Sequence, residues 1–353
     1  MTVRVRFAPS PTGSLHIGNA LSAVANRSFA NEHGGVLVLR IDDTDPTRVA
    51  SGGERAILED LAWLAVTWDE GPYRQSERGE LYAAAAEGAL ASSGVRDPDG
   101  SIRLDGTTLV RADGTATYQL ATVVDDLELA ITHVIRGSDH RPNEAVHRRI
   151  AAALGAAFPE VIHHGLVLGD DGKKLSKRHG HAVASLAELR AEGIPGSAVR
   201  AYLDELDLPR HDVHFDLSRV RRLAIEAVGA MTDAELAEAT AAPVELAPAL
   251  RGARTLIEAR EIARQILTPT PVSLGESARP TVERFTELRE AAAERLDETA
   301  AKSIVVELKA VGGDLRALRL ALTGAERGPE LAAVVAALPR DEALRRAAAA
   351  IGG

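Results

Sequence analysis

Two loop sequences carry the residue types that proteins use to bind phosphate groups. The first is FAPSPTGSLHIGN at residues 7–19, which places two prolines, two glycines and His16 between an apolar run and a helical pattern. Gly13 and Gly18 permit close approach of the backbone, and a helix that starts near His16 offers N–H groups and a favourable dipole. Taken alone, this loop fits a phosphate site and a rigid strand-to-helix turn equally well.

The second loop, GDDGKKLSKRHG at 169–180, is rich in lysine, a residue that this chain otherwise uses sparingly. Three of the five lysines of the chain lie in it, namely Lys173, Lys174 and Lys177. A compact ammonium on a flexible stem can follow a moving triphosphate, whereas a guanidinium suits fixed paired contacts. Gly169 and Gly172 would allow the loop to move as a lid over a ligand. A lysine cluster is usually a solvated surface, but with the first loop it favours a nucleotide site.

The hydrophobic pattern indicates the elements that would position these loops. Residues 3–7 and Val36–Ile41 are predicted as strands, and the second run is apolar enough for a strand that is covered on both faces. Between them, apolar residues at helical spacing predict a helix that ends at the two glycines at 34–35. This βαβ order places ligands beyond the carboxyl ends of the strands, where the first loop and Asp42 both lie.

The rest of the chain divides into a mixed part and a helical part. We predict helices at about 53–64 and 77–91, a candidate strand at 118–126, a strand at 131–140 and a short strand at 165–168. From residue 186 onward the sequence is Ala-rich with helical periodicity, interrupted by linker-like sequence at 267–280. The predicted fold class is α/β, a Rossmann-type parallel-sheet domain followed by an α-helical C-terminal region.

Composition excludes several classes of protein. The chain of 353 residues has no cysteine, which excludes disulfides and thiolate metal sites, and its histidines lack zinc-type spacing. No run of about 18 apolar residues could cross a membrane, and the N-terminus lacks an apolar leader. We therefore expect a soluble, cytoplasmic protein without structural zinc. The net charge of −10 argues against bulk electrostatic coating of nucleic acid but leaves room for a local basic face.

The two loops resemble the signature motifs of class I aminoacyl-tRNA synthetases. HIGN at 16–19 resembles the HIGH motif, and KLSKR at 174–178 resembles KMSKS. Longer stretches narrow the resemblance to glutamyl-tRNA synthetases, namely RFAPSPTGSLHIG at 6–18, LRIDDTD at 39–45, DEGPYRQSER at 69–78, YQLATVVDD at 118–126, ITHVIRGSDH at 131–140 and KKLSKRHG at 173–180. The resemblance covers most of the first 210 residues, continues weakly at 214–228 and returns at 315–331.

This resemblance implies a domain organisation and a set of partners. It implies a catalytic domain at 1–200, in which 88–108 is a remnant of the insertion that binds the tRNA acceptor end. A helical stem domain at 201–275 and an anticodon-binding-like helical domain at 276–353 would follow. The implied partners are ATP, bound with Mg²⁺ as a substrate complex, L-glutamate and a glutamate-accepting tRNA, and the implied state is a monomer with no protein-bound metal.

The resemblance also assigns roles to individual residues. The catalytic residues that it implies are His16, Asn19, Lys174 and Lys177. The ATP-binding residues that it implies are Pro9, Ser10, Thr12, Gly13, His16, Gly18, Asn19, Ser176, Lys177 and Arg178. The glutamate-binding residues that it implies are Arg6, Ala8, Ser10, Asp42, Tyr118, Thr122, Arg136 and His140. A clamp of two arginines would select glutamate over glutamine, because a neutral amide leaves a buried cation unpaired.

Some positions depart from the family pattern. Asp42 replaces the usual glutamate, Thr122 stands where asparagine is common, and RGSDH at 136–140 replaces RGEDH. The connective insertion is also much shortened. We therefore expect tRNA affinity to depend on the helical region, with candidate phosphate contacts at Arg219, Arg221, Arg222, Arg316 and Arg319; for any one of these arginines, an ordinary solvated helix face is the simpler interpretation.

Four functions remain open from the sequence. The first is a glutamate–tRNA ligase that forms glutamyl-adenylate and esterifies the terminal ribose of tRNA. The second is a paralogue that transfers glutamate to a modified tRNA nucleoside, against which the helical C-terminal region counts. The third delivers glutamate to a small molecule or carrier, which the shortened insertion would suit. The fourth is a non-catalytic RNA-binding relative, which has no need of the intact His16 and Lys177 motifs.

Overall fold

The computed structural model describes residues 2–175 and 185–352, and the chain divides into two compact units. Unit 1 comprises Met1–Ala191 and Val199–Leu217, and unit 2 comprises Glu192–Ala198 and Ser218–Gly353. Unit 1 contains the sheets, and unit 2 is helical. The predicted α/β fold with an α-helical C-terminal region is therefore confirmed.

Parallel strands form the centre of unit 1. Strands β1 (Arg4–Phe7), β2 (Val36–Ile41) and β3 (Glu70–Arg74) form one parallel sheet, with β2 between the other two. The later strands are β4 (Val95–Arg96), β5 (Ile102–Leu104), β6 (Thr107–Val110), β7 (His133–Gly137), β8 (Glu160–His164), β9 (Val167–Leu168) and β10 (Val213–His214). Strands β7 and β8 are parallel, and the N–H of Thr132, just before β7, donates to the carbonyl of Arg4 at 2.9 Å. Strand β7 therefore follows β1 on the side away from β2.

Helices cover these strands and account for their apolar sequences. They are α1 (Ile17–Glu32), α2 (Gly53–Trp63), α3 (Gly79–Ser92), α4 (Tyr118–Glu128), α5 (Arg141–Ala153), α6 (Leu186–Ala191) and α7 (Gly196–Leu206). Helix α1 buries Ile17, Leu21 and Val24, as the helical spacing predicts. The buried residues of β2 extend over both of its faces, as a continuous apolar run indicates. The predicted βαβ unit is confirmed: the first loop follows the carboxyl end of β1, and Asp42 follows the carboxyl end of β2.

Two segments of unit 1 differ from the sequence-based expectation. Residues 118–126, the candidate strand, form most of helix α4. Every residue from Leu120 to Asp126 is buried, so the segment lacks the polar face that would reveal a helical period. The polar stretch within 88–108 contains β4 and β5, which form an antiparallel sheet with β6. Ile102, Leu104 and Leu109 of this sheet belong to the same core as α4. This segment is therefore a packed part of unit 1.

Unit 2 is an assembly of short amphipathic helices. They are α8 (Leu217–Ala230), α9 (Asp233–Thr240), α10 (Ala247–Leu250), α11 (Leu256–Leu267), α12 (Arg279–Glu290), α13 (Glu298–Ala310), α14 (Leu315–Thr323), α15 (Leu331–Ala337) and α16 (Arg340–Ile351). Phe285, Val282, Leu308 and Leu318 are fully buried in its core. Most of the linker-like sequence at 267–280 is irregular, as predicted, with one short helical turn at Glu276–Ala278 before α12 begins. Within the described residues, no helix is long and apolar enough to cross a membrane.

The contact between α2 and the first loop yields a stability prediction. A methyl group on Gly53 would lie 2.2 Å from the carbonyl oxygen of Pro11, a backbone atom that cannot rotate away. We expect Gly53→Ala to lower the free energy of unfolding by about 1–3 kcal/mol, as overpacking does. Gly79→Ala is the control, because the added methyl group meets nothing within 4 Å. Urea denaturation measures both; equal stability of the two variants would contradict the tight contact.

Candidate active site

The first loop is fixed to its surroundings by backbone hydrogen bonds. The carbonyl of Pro9 accepts from the N–H of Asp42 at 3.0 Å, and the carbonyl of Pro11 accepts from the N–H of Ala50 at 2.9 Å. Gly13 has a φ of +117°, a conformation that side chains with a Cβ rarely adopt. The backbone from Ala8 to Gly13, which includes Ser10 and Thr12, is therefore held in place by hydrogen bonds beyond the end of β1.

The end of this loop leads directly into helix α1. His16 is the N-cap residue of α1 and has extended backbone angles, and within the described residues its side chain makes no capping hydrogen bond to the helix. A methyl group added to Gly18 would meet no described atom within 4 Å. Asn19 follows in the same turn. The N–H groups of a helix start beside a glycine are chemically suited to an anion, as the predicted phosphate site requires.

The lysine loop is described only in part. Ser176, Lys177 and Arg178 lie outside the described residues. Before them, the N–H of Gly169 donates to the carbonyl of Lys173 at 2.8 Å, which closes a tight turn. Lys174 forms an ion pair with Asp139 at 2.5 Å. Although burial opposes ionisation of Asp139, this hydrogen bond from Lys174 lowers the pKa of the carboxyl group.

The predicted glutamate-binding residues meet at the carboxyl ends of the central strands. Arg6 lies at the end of β1, Asp42 after β2, and Arg136 near the end of β7. Ser10, Asp42 and Tyr118 line one pocket. Burial and the neighbouring charge of Asp42 raise the pKa of Tyr118, while Arg6 and Arg136 act in the opposite direction. Four residues that are distant in sequence thus share one electrostatic environment.

Arg40, which the sequence analysis did not single out, is the centre of this environment. Its guanidinium is fully buried; Nε donates to Asp42 at 2.7 Å and Nη1 donates to Asp126 at 2.7 Å. Asp126 also accepts from Nε of Arg6 at 3.2 Å. The sequence signal for this network was an arginine inside an apolar strand and an aspartate pair inside an apolar helix.

The network sets the ionisation of its members. Burial opposes the charge on Arg40, but Asp42 and Asp126 outweigh it and raise the pKa of the guanidinium. Burial likewise opposes ionisation of Asp126, and Arg6 and Arg40 reverse the effect, so the pKa of Asp126 is lowered. At Asp42 the effect of burial is larger than the opposing effect of Arg40, so the pKa of Asp42 is raised. The neighbouring Asp125 is bonded to Arg78 at 2.7 Å. The buried carboxylates are thus matched to arginines.

Arg136 differs from its neighbours Arg6 and Arg40 because the described residues provide it with no carboxylate partner. Its side chain is 6% exposed, and Nη1 lies 3.5 Å from Nδ1 of His147. Nε and Nη2 are buried without a hydrogen-bond acceptor among the described residues. Burial and the nearby Arg6 lower the pKa of Arg136, yet an arginine side chain stays protonated in proteins. The Nε and Nη2 edge is the one that holds a carboxylate with two parallel bonds.

The remaining predicted glutamate-binding residues are Thr122 and His140. Oγ1 of Thr122 is buried and has no partner among the described residues. Burial lowers the pKa of His140, and burial together with Arg136 lowers the pKa of His147 to about 3, so His147 is neutral near pH 7. His147 was not predicted, and no local sequence pattern distinguishes it. Within the described part of the chain, no group of three or more acidic, histidine or cysteine side chains could hold a metal ion.

The arginines proposed for RNA contact in unit 2 mostly have partners. Arg221 pairs with Glu192 at 2.9 Å, and Arg219 with Glu226 at 3.6 Å. Arg316 pairs with Glu326, and Arg319 donates to the carbonyl of Pro329. Nucleic-acid phosphates would have to replace these partners. The ion pairs favour the simpler interpretation, a solvated and internally neutralised helix surface.

Comparison with known proteins gives a consistent result. A family described as tRNA synthetases class I (E and Q), catalytic domain, matches residues 2–95 and 99–216. Glutamate–tRNA ligase 1 of Rubrobacter xylanophilus is 36% identical over 424 positions, which cover 98% of this chain and 97% of the relative. Glutamate–tRNA ligase 1 of Methylobacterium sp. (strain 4-46) is 30% identical, and 98% of each chain is covered. Both alignments are longer than this chain, so the relatives carry additional residues within the aligned region.

One solved structure shares the fold over the whole length of the chain. It is a crystal structure of a glutamate tRNA ligase from Elizabethkingia meningosepticum in complex with its amino acid. The TM-score is 0.77 at 23% sequence identity, and 100% of this chain and 99% of the other are covered.

The buried network at Arg40 leads to a second stability prediction. Arg40→Leu would leave Asp42 and Asp126 buried without their central cation, so we expect a loss of about 3–5 kcal/mol in the free energy of unfolding at pH 8. The control Arg55→Leu removes only an exposed pair with Glu59 and should change stability by less than about 0.5 kcal/mol. Denaturation of both variants and the parent chain provides the comparison.

The pH dependence of the same variant provides an independent check. Without Arg40, burial would raise the pKa values of the stranded carboxyl groups above their unfolded values. Groups with raised pKa values favour folding at low pH and lose that contribution as pH rises. The deficit of Arg40→Leu relative to the parent chain should therefore shrink between pH 8 and pH 5. A deficit that stays constant over this range would mean that the carboxylates find other partners.

Proposed function

We propose, since the chain belongs to the class I tRNA synthetases for glutamate and glutamine, that it is a glutamate–tRNA ligase. It is an ATP-dependent ligase of this family, and the relatives that align over their full length are named glutamate–tRNA ligases. The proposed reaction has two steps. ATP and L-glutamate form glutamyl-adenylate and pyrophosphate, and the glutamyl group then passes to the terminal ribose of tRNA.

The unpartnered edge of Arg136 carries the assignment of glutamate as the amino acid. A buried guanidinium with two unused donors is a receptor for a carboxylate, and the side-chain carboxylate of glutamate has the matching charge and geometry. Glutamine would bring an amide with only one acceptor oxygen and no charge. The cost of leaving the cation unpaired supports selection of glutamate.

The other residues of the pocket have proposed roles around this contact. Arg6 would add a second positive charge while Asp126 holds its Nε. Tyr118 would donate a hydrogen bond from its hydroxyl group, because burial keeps that group protonated. Ala8 and Ser10 of the first loop would support the bound amino acid, and Thr122 and His140 would lie beside it. Asp42 is occupied by Arg40, so its contact with the substrate ammonium would run through water.

The nucleotide would bind at the start of α1. Pro9, Thr12 and Gly13 would shape the loop, while Gly18 would let the nucleotide approach the helix. His16, Asn19, Lys174 and the loop residues Ser176, Lys177 and Arg178 would surround the phosphates. An oxygen of the glutamate α-carboxylate attacks the α-phosphorus of ATP, and the bond from this phosphorus to the leaving pyrophosphate breaks. Positive charge and N–H donors stabilise this transition state, and Mg²⁺ would enter with ATP as part of the substrate.

The second step needs an acceptor rather than further catalytic groups. A ribose hydroxyl attacks the acyl carbon of the adenylate, loses its proton, and AMP leaves. We propose that the sheet β4–β6 is what remains of the acceptor-binding insertion, within a catalytic domain at 1–200. The helical domains at 201–275 and 276–353 would bind the rest of the tRNA. We propose a monomer and place it in the cytoplasm.

Exchange of pyrophosphate into ATP tests the first step. With total tRNA present, we expect exchange that depends on glutamate and not on glutamine. Arg136→Gln should weaken glutamate binding by about 2–5 kcal/mol, the usual cost of stranding a charged partner, with little change in the KM for ATP. The control Arg148→Gln alters only an exposed pair with Glu144. Unchanged glutamate affinity in Arg136→Gln would remove Arg136 from the site.

A charging assay on chemically blocked tRNA tests the second step. We expect radiolabelled glutamate to attach to total tRNA through an ester that mild alkali releases. Periodate oxidation destroys the terminal ribose diol, so oxidised tRNA should accept no label. Labelling that survives oxidation would place the glutamate on an internal nucleoside. Exchange activity without any labelled RNA would point to a small molecule or carrier as the acceptor.

A further inference from the structure

Asp60 is a buried carboxylate of α2 to which the proposed reaction assigns no role. It is 1% exposed, and both of its oxygens are used. Oδ2 accepts from the hydroxyl of Ser14 at 2.7 Å and from the N–H of Leu15 at 2.8 Å. Oδ1 accepts from Nη2 of Arg190 at 2.8 Å. One carboxylate thus joins α2, the loop before α1, and α6.

Further bonds join the same loop directly to α6. The hydroxyl of Ser14 accepts from the N–H of Ala187 at 3.0 Å, and the carbonyl of Leu15 accepts from the N–H of Leu186 at 2.9 Å. His16 and Ser185 form an isolated β-bridge. The guanidinium of Arg190 lies 5.0 Å from the ring centre of Trp63, which holds it over α2. The position of α6 is therefore set relative to His16 by backbone contacts and by the bonds of Asp60 to Ser14, Leu15 and Arg190.

These contacts lie next to the helix start at which we place the ATP phosphates. Leu15 immediately precedes His16, the N-cap residue of the helix at which we place the phosphates. Ser185 and α6 come shortly after the KLSKR motif along the chain, and Lys174 at the start of that motif is paired with Asp139. A shift between Leu15 and Leu186 would change the separation of the two nucleotide-binding sequences.

We propose that Asp60 is a positioning residue for adenylate formation, which sets the spacing between His16 and the chain that follows the KLSKR motif. It does not touch a substrate, and it acts through Ser14, Leu15 and Arg190. The inference rests on the proposed function in that it takes these two sequences as the ATP site. Displacement of reacting groups by about 1 Å can lower a rate about 100-fold, so the effect of losing this spacing is measurable.

The test compares Asp60→Asn with Asp69→Asn. Asp69 accepts the same kinds of hydrogen bond at a more exposed position of unit 1: its Oδ2 accepts from the N–H of Leu37 at 2.7 Å and from Nη1 of Arg27 at 2.8 Å. Both variants lose a charged acceptor, but only Asp60→Asn disturbs the loop before His16. We expect Asp60→Asn to lower the rate of glutamate-dependent exchange about 10- to 100-fold and to raise the KM for ATP several-fold. Its KM for glutamate should stay within about twofold of the parent value, and Asp69→Asn should leave all of these constants near parental.

Additional variants separate positioning from stability. Ser14→Ala removes only the hydroxyl bonds to Asp60 and Ala187, so it should retain the fold and show the same pattern more weakly. Arg190→Lys keeps the positive charge beside Asp60 and should retain more activity than Arg190→Leu. If Asp60→Asn and Ser14→Ala lower the unfolding temperature but leave the rate and the KM for ATP unchanged, Asp60 is a structural residue and the inference is wrong.

Direct titration with ATP keeps the inference apart from the proposed function. ATP affinity is measured without glutamate or tRNA, and we expect it to fall several-fold in Asp60→Asn and to stay at the parent value in Asp69→Asn. A parent chain that binds ATP but shows no glutamate-dependent exchange would contradict the proposed function, while the titration would still decide the role of Asp60. Equal ATP affinity in both variants would overturn the role.

Discussion

Unit 1 depends on a single electrostatic constraint, namely that the guanidinium of Arg40 is completely removed from water. A buried charge is tolerated only when charged partners with good geometry surround it. Asp42 and Asp126 are those partners, and Asp126 also holds Arg6. These contacts join β1, β2 and α4 at the carboxyl edge of the sheet. The backbone positions around the proposed amino-acid site are therefore consequences of satisfying one arginine in the middle of a strand.

The same pairing of charges leaves one buried cation of the proposed site without a carboxylate partner among the described residues. Asp42, Asp125 and Asp126 are matched by Arg6, Arg40 and Arg78, and Arg136 is left over with its two-donor edge facing no acceptor among the described residues. A folded protein that keeps an unmatched buried cation gives up stability. A substrate carboxylate would restore the match, so under the proposed function the charge that is unfavourable for the free protein would recognise the ligand.

Several features of the fold and site could be predicted from local sequence, and others could not. Turn residues located the loop from Ala8 to His16 and the lysine loop, because glycine and proline act through their own backbone angles. Helix α4 was misjudged as a candidate strand, since complete burial removes the amphipathic pattern on which the distinction depends. The sheet β4–β6 was missed because its strands are two to four residues long and lie among polar turns. Roles for Arg6, Asp42 and Arg136 came from a family resemblance, and their convergence at one edge came from the fold.

The sequence by itself determined the βαβ order, the two loops at the strand ends, the absence of cysteine chemistry and the family to which the motifs belong. These depend on residue types and short spacings, which are local properties of the chain. Only the tertiary structure decided which charges pair, because Arg40 and Asp126 are 86 residues apart and Arg6 and Asp126 are 120 apart. It also decided that Asp60 meets Leu15 across 45 residues and Arg190 across 130. Burial of a charge is a property of everything that packs around it, and no short window of sequence contains that information.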